Sequence, residues 1–283
     1  MRWRTGRRSS NIEDRRGGMG GPVKAGGIGL VLMLVVAWLM GADPIQLLGI
    51  AGGNLGGSDS GSQVQLSATD QEDGEFVSAI MAQTEDVWNP IFRAAGATYR
   101  EPTLVLFTDE TTSGCGYSSA ATGPFYCPAD QKVYIDLGFF RELKRLGAPG
   151  DFARAYVIGH EVAHHVQNLL GTSGKVTRLQ RQVSSTDANR LSVLLELQAD
   201  CYAGVWANHA HQQMNVLEQG DIEEGLQAAA SIGDDRMQRM AGRRVNPDAF
   251  THGSSEQRVQ WFMTGLRDGN LQRCDTFAGL QLQ

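Results

Sequence analysis

The sequence predicts a predominantly helical α+β fold, a small N-terminal sheet followed by a run of helices, with one transmembrane helix ahead of the folded domain. Three observations carry this. Only two stretches read as clear strands, Thr103–Phe107 (TLVLF) and Lys132–Asp136 (KVYID), and both precede residue 138. Beyond residue 138 apolar residues recur at helical spacing, broken by Ala148-Pro149-Gly150, by Gly171 and Gly174, by Gly220 and by Asn246-Pro247. From Ala25 to Ala42 eighteen residues pass without a charge, about the minimum for a spanning helix. Strands that precede the helices instead of alternating with them argue against βαβ units, and no internal repeat is present.

The 283 residues suffice for one sizeable domain plus a tail. Residues 1–24 hold seven cations against Glu13 and Asp14, a net +5, so with −6 overall the remainder carries −11. A basic head of this kind can bind nucleic acid, but this one stops directly before an apolar run, where cationic flanks set membrane orientation. We therefore expect no nucleic-acid partner. Residues 1–24 are expected to form a basic cytoplasmic tail and residues 25–44 a single-pass membrane helix. Residues 45–70, which include GIAGGNLGGSDSGS, are expected to form a Gly/Ser-rich linker, and residues 71–283 the domain on the far side of the membrane. No small-x-small cleavage site stands out after the apolar run.

Within the domain, the spacing of Phe76, Ile80, Met81, Val87, Trp88, Ile91 and Phe92 predicts a helix with one buried stripe, followed by the two strands. Cys115 and Cys127 bracket a Gly/Ser/Pro-rich loop that a disulfide could pin, which would leave Cys201 and Cys274 as a long-range pair. Four cysteines permit three connectivities, and four free buried thiols are the alternative.

The stretch Tyr156–Gln167 contains His160-Glu161-x-x-His164. On a helix, residues i and i+4 share a face one turn apart, so both imidazoles can point at one ion, and Glu161 is placed to take a proton from the attacking water. The helix is expected to start at Asp151, an N-cap candidate, to bury Phe152, Ala155, Ile158, Val162, Val166 and Leu169, and to end at Gly171. His165 lies about 100° round the helix from His164 and is not expected to be a ligand.

A catalytic zinc takes three protein ligands and leaves one position open. The best third candidate is Glu196 in LLELQAD: a carboxylate flanked by leucines is costly to bury without a cation, and Asp200 one turn later adds a like charge. A metal resolves both, with Glu196 ligating and Asp200 accepting the free N–H of a ligand histidine. If zinc were purely structural, a fourth ligand such as Asp200 or His165 should close the sphere.

HEVAHHVQ, ELQADCYAG and THGSSEQRVQWF together resemble the bacterial putative neutral zinc metallopeptidase family, over a span from about Asp70 to the C-terminus plus an N-terminal membrane segment. The resemblance implies a zincin-like metallopeptidase fold, a Zn2+ cofactor with a glutamate third ligand, anchoring in the bacterial inner membrane with the catalytic domain periplasmic, and a peptide or protein substrate. The third motif is similar to His and Arg elements that related membrane peptidases place after the third ligand. There His252 would donate to the oxyanion and Arg258 would brace a metal-site carboxylate, while Ser254 and Gln257 form a capping box. Val133–Asp136 is a candidate edge strand for pairing with an extended substrate, an ordinary structural strand being the plain alternative. The expected activity is hydrolysis of peptide bonds. The alternatives are a noncatalytic tethered scaffold with structural zinc and a zinc hydrolase of non-peptide cell-envelope bonds.

Overall fold

The computed structural model describes residues 1–16 and 66–280. The expected membrane helix (25–44) and residues 45–65 of the linker lie outside the described residues. Among the described residues no helix is long and apolar enough to cross a membrane.

The α+β order holds. Strand β1 (Ile12–Asp14) precedes helix α1 (Ala68–Ala94), then come β2 (Thr103–Phe107), β3 (Glu110–Ser113), β4 (Gly116–Ser119), β5 (Phe125–Cys127) and β6 (Lys132–Asp136). Helices α2 (Gly138–Arg145), α3 (Asp151–Leu169), α4 (Thr172–Gln180), α5 (Ser185–Met214), α6 (Asp221–Ser231), α7 (Asp234–Met240) and α8 (Ser255–Asp268) follow. Ser67 caps α1 with a full capping box to Asp70, so the folded chain resumes at Ser67, inside the expected linker.

Two expectations are corrected here. The main sheet has the order β1-β2-β6-β5, so β6 is bonded on both sides and Val133–Asp136 is not an edge. The edge beside the helices is β5, three residues long and invisible to a search for alternating runs. The second correction concerns the expected cytoplasmic tail. Residues 1–16 belong to the same compact unit as residues 67–280. β1 pairs in parallel with β2, Ile12 opposite Leu104, and Trp3 is buried edge-on against Phe76.

The arginines read as a membrane-orienting flank instead meet acids on α1 and on β1 itself: Arg4 with Glu72, Arg7 with Glu85 and Asp86, Arg8 with Glu75, Arg16 with Asp14. Arg16 also donates to the Asp70 carbonyl. Residues 1–16 are thus a packed part of the folded unit and not a detached tail.

The helical layer is built on α3, α5 and α8. At the α5–α8 crossing the two backbones touch without side chains between them: a Cβ on Gly204 would run into the Phe262 carbonyl, and one on Gly265 into that of Cys201. The same crossing carries the Cys201–Cys274 disulfide, and Cys115–Cys127 pins the loop before β5, with Cα separations of 5.6 and 5.8 Å. Of the three connectivities, the structure adopts the one in which the short loop is closed. Phe152, Tyr156, Trp206 and Phe262 fill the space where α3, α5 and α8 meet.

Candidate metal centre

Helix α3 starts one residue earlier than expected in capping terms: Gly150 is the N-cap and Asp151 the first helical residue, where its charge suits the helix dipole. Leu170 closes the helix and Gly171 follows in the left-handed conformation, φ 77°. The core face of α3 sets the rotation that turns His160 and His164 toward α5.

There they meet Glu196. His160 Nε2 lies 3.1 Å from Glu196 Oε2, His164 Nε2 3.3 Å from Glu196 Oε1, and the two Nε2 atoms are 3.2 Å apart. Donors about 2.0–2.1 Å from a tetrahedral zinc stand roughly 3.3 Å apart, so each of these separations is near a zinc donor spacing, the two histidines reaching different oxygens of the one carboxylate, and a triangle with one atom from each residue closes within 4.8 Å. Among the described residues it is also the single group of three or more potential ligands close enough to share an ion.

The far sides of both rings agree with that use. His160 Nδ1 is 2.9 Å from Asp200 Oδ1 and His164 Nδ1 is 2.9 Å from Gln167 Oε1, both acceptors, so each Nδ1 carries the proton and each Nε2 turns a bare lone pair inward. Gln167 is itself fixed by donating to the Leu195 carbonyl and to Gln198.

Asp200 is wholly buried and collects donors. Arg258 grips both its oxygens, Nε and Nη2 each at 2.9 Å, and the Tyr156 hydroxyl donates to it while accepting from Arg258. Burial opposes ionisation of Asp200, yet Arg258 and His160 hold its carboxyl below the usual range. Arg258 thus braces Asp200, the carboxylate behind His160, and not Glu196 itself.

The triangle calls for positive charge. Burial disfavours a charged Glu196, but His164 and His160 hold it well below the ordinary carboxylate value. Burial likewise opposes a charged His160, while Asp200 and Glu196 lift it to about 10. Two acids converging on two imidazoles bind a cation, whether proton or metal, and a metal competes with the proton for the same lone pairs.

Glu161 is buried next to the triangle and makes no ion pair among the described residues; burial pushes its carboxyl up, with His164 and His160 pulling the other way. His165 points away, as expected of a non-ligand: the Tyr126 hydroxyl reaches its Nδ1 at 3.0 Å and its Nε2 donates to the Arg100 carbonyl. His252 is half exposed, its loop fastened to Asp234. The loop leans on α5, since Gly253 sits against Val193 and Leu197, one turn apart on that helix and on either side of Glu196 in the sequence. Sequence reasoning missed Tyr156, Gln167 and Asp234, because nothing in their local pattern marks them and only burial against the site does.

A buried His-Glu-x-x-His helix and a carboxylate from a second helix thus form one group of side chains able to hold a metal ion. A family model described as "Putative neutral zinc metallopeptidase" matches residues 1–277, and the chain belongs to that family. Its relatives include the uncharacterized protein YpfJ of Escherichia coli strain K12, 48% identical over 98% of this chain and 99% of the relative. The uncharacterized proteins Mb2605 of Mycobacterium bovis and Rv2575 of Mycobacterium tuberculosis are each 42% identical, over 69% of this chain and 68% of theirs. No solved structure matches.

Proposed function

We propose that the chain is a zinc-dependent peptidase in which His160, His164 and Glu196 hold the metal and Glu161 is the general base. One observation supports this above the others: three donors at zinc spacing, a buried carboxyl beside them, and no fourth protein donor among the described residues. A structural zinc is closed by four protein ligands, whereas a hydrolytic one keeps a position open. Asp200 and His165, the residues that could have closed the sphere, are engaged elsewhere.

A zinc ion held there supplies Lewis acidity toward a water and toward the scissile carbonyl. Glu161 takes the water's proton on its carboxylate and hands it to the leaving amine nitrogen. His252 donates to the carbonyl oxygen as negative charge grows on it. Arg258 and Asp200 hold the His160 ring in the orientation that exposes Nε2.

A peptide substrate suits the surroundings. The sheet edge nearest α3 is β5, on whose outer side no strand pairs among the described residues, an edge suited to backbone pairing with an extended peptide. A cavity of about 600 Å³, lined by Val193, Leu194, Phe250, Ser254 and Gln257, opens one turn of α5 before Glu196 and can seat an apolar side chain. The two disulfides favour a location outside the cytoplasm, with residues 1–16 on the same side as the site and residues 25–44 as the attachment to the bacterial inner membrane.

The test is zinc content and cleavage of an unfolded protein by the full chain and its His160→Ala variant. We expect about one zinc per chain, hydrolysis that a chelator abolishes and zinc restores, and loss of both in the variant. Zinc at a hundredfold its Kd should also raise stability by about 2.7 kcal/mol over the chelated protein, read by thermal melting. Full zinc loading with no cleavage of any peptide overturns the reading.

A further inference from the structure

We propose that Asp234 is the positioning residue for His252: its carboxylate fixes the Thr251–Gly253 loop and loads the imidazole Nδ1, so that the ring offers an Nε2–H to the substrate carbonyl. This rests on the peptidase reading above, and it assigns a role to a residue outside the zinc motifs.

The geometry is unusual for a surface loop. Asp234 Oδ2 accepts from three successive backbone N–H groups, those of Thr251, His252 and Gly253, at 2.7, 2.6 and 3.0 Å, and Asp234 N donates back to the Gly253 carbonyl at 2.8 Å. The second oxygen, Oδ1, faces His252 Nδ1 at 3.3 Å, with Thr251 Oγ1 at 3.0 Å from the same nitrogen. Asp235 secures the chain two residues on, accepting from Ser255 N and Oγ at 2.7 and 2.9 Å. Gly233 lets the two strands of backbone approach, because a Cβ there would strike the Ser255 backbone. The anchor is buried and the ring is not: the Asp234 side chain is 16% exposed and that of His252 54%. A loop that needed only capping would not spend a largely buried carboxylate on holding an exposed imidazole still.

The ring emerges beside the site, since Gly253 rests on Val193 and Leu197, the residues flanking Glu196 on α5. With Nδ1–H given to Asp234, a donor at Nε2 requires the imidazolium, which carries a proton on both nitrogens. The charges around the ring are Asp234 on α7, Glu196 on α5 and Arg258 on α8. Hydrogen bonding to Asp234 is the main influence and lifts His252 above its ordinary value; burial and Arg258 work against this, and Glu196 adds to it. A raised histidine keeps its proton at low pH and loses it as pH rises through the raised value, so the donor is lost on the alkaline side.

The test is Asp234→Asn in the full-length, zinc-loaded protein, followed by NMR titration of labelled histidines, with the His252 signal assigned by its absence in His252→Gln. The expected results are a lower His252 titration midpoint, a kcat reduced about tenfold with KM within about twofold, and an alkaline limb of the rate profile moved to lower pH. In a His252→Gln background, Asp234→Asn should cost no further activity. If Asp234→Asn does not fold, Asp234→Glu takes its place: it keeps the charge on a longer arm and should preserve the raised titration while lowering kcat. A His252 midpoint unmoved by Asp234→Asn, or lowered by Asp234→Glu, or activity losses that add to those of His252→Gln, overturn the assignment. The titration is read without substrate, so a chain that binds zinc and cleaves nothing defeats the peptidase reading while the pairing is still decided.

Discussion

Glu161→Gln is expected to keep zinc and fold while lowering hydrolysis about 10²- to 10⁴-fold, the range associated with removing a general base. The amide matches the carboxyl in size, and among the described residues Glu161 makes no ion pair whose loss would disturb its neighbours. Burial already presses that carboxyl toward its neutral form, so a neutral amide relieves the desolvation cost and the melting temperature should stay or rise. The amide cannot take a proton from water, and that is the function being removed. Steady-state cleavage rates beside metal analysis of the same preparations decide the matter. A variant with normal zinc and a rate within about threefold of the parent would remove Glu161 from the mechanism.

Arg258→Met is expected to act on stability and metal together. Asp200 sits with no exposure behind His160, and Arg258 supplies its bidentate partner, so removing the guanidinium leaves a buried carboxylate uncompensated at a cost of about 3–5 kcal/mol. The freed Asp200 then tends to protonate and stops orienting His160, which should weaken zinc binding about 10- to 100-fold. Adding Asp200→Leu should recover much of the stability, since the unpaired charge goes, but none of the zinc affinity. Denaturant melts and competition with a metal indicator separate the two quantities. Loss of stability that the second substitution does not recover would mean that Arg258 matters through packing and not through its charge.

The core of the candidate site was legible in the sequence because its chemistry is local. The i, i+4 spacing of His160 and His164 fixes their relation before any tertiary contact exists, and a carboxylate among leucines at Glu196 announces a buried cation by its desolvation cost. The pairing of Asp200 with His160 followed from the same helix face. Gln167 and Tyr156 were not legible: each is an ordinary residue on α3 until α5 and α8 pack against it. Asp234 reaches His252 across a turn between two helices, and no spacing rule connects them.

The sheet was read least well, and for a physical reason. β3 and β4 are ETTS and GYSS, short and largely polar, and pair with each other in a tight hairpin, while β1 is three residues inside a basic stretch with its partner far along the chain; alternation within such short segments carries almost no information. The basic head illustrates how one composition serves two physics. Arginines before an apolar run suit a membrane flank, but they also complement the acidic face of α1, and the structure uses them there.

The docking of β1 bears on how the sheet is completed as the chain is made. β2, TLVLF, is buried along nearly its whole length and lies between β1 and β6. Ile12 meets Leu104 across about ninety residues of intervening chain, so the strand that leaves the ribosome early waits for its neighbour to be synthesised, and closing that long loop is slow. Until it docks, β2 presents a bare apolar edge, the kind of surface on which a second chain adds a strand. A fragment trimmed to begin at Ser67 would carry that edge permanently, and its aggregation would say nothing about whether the catalytic helices can fold.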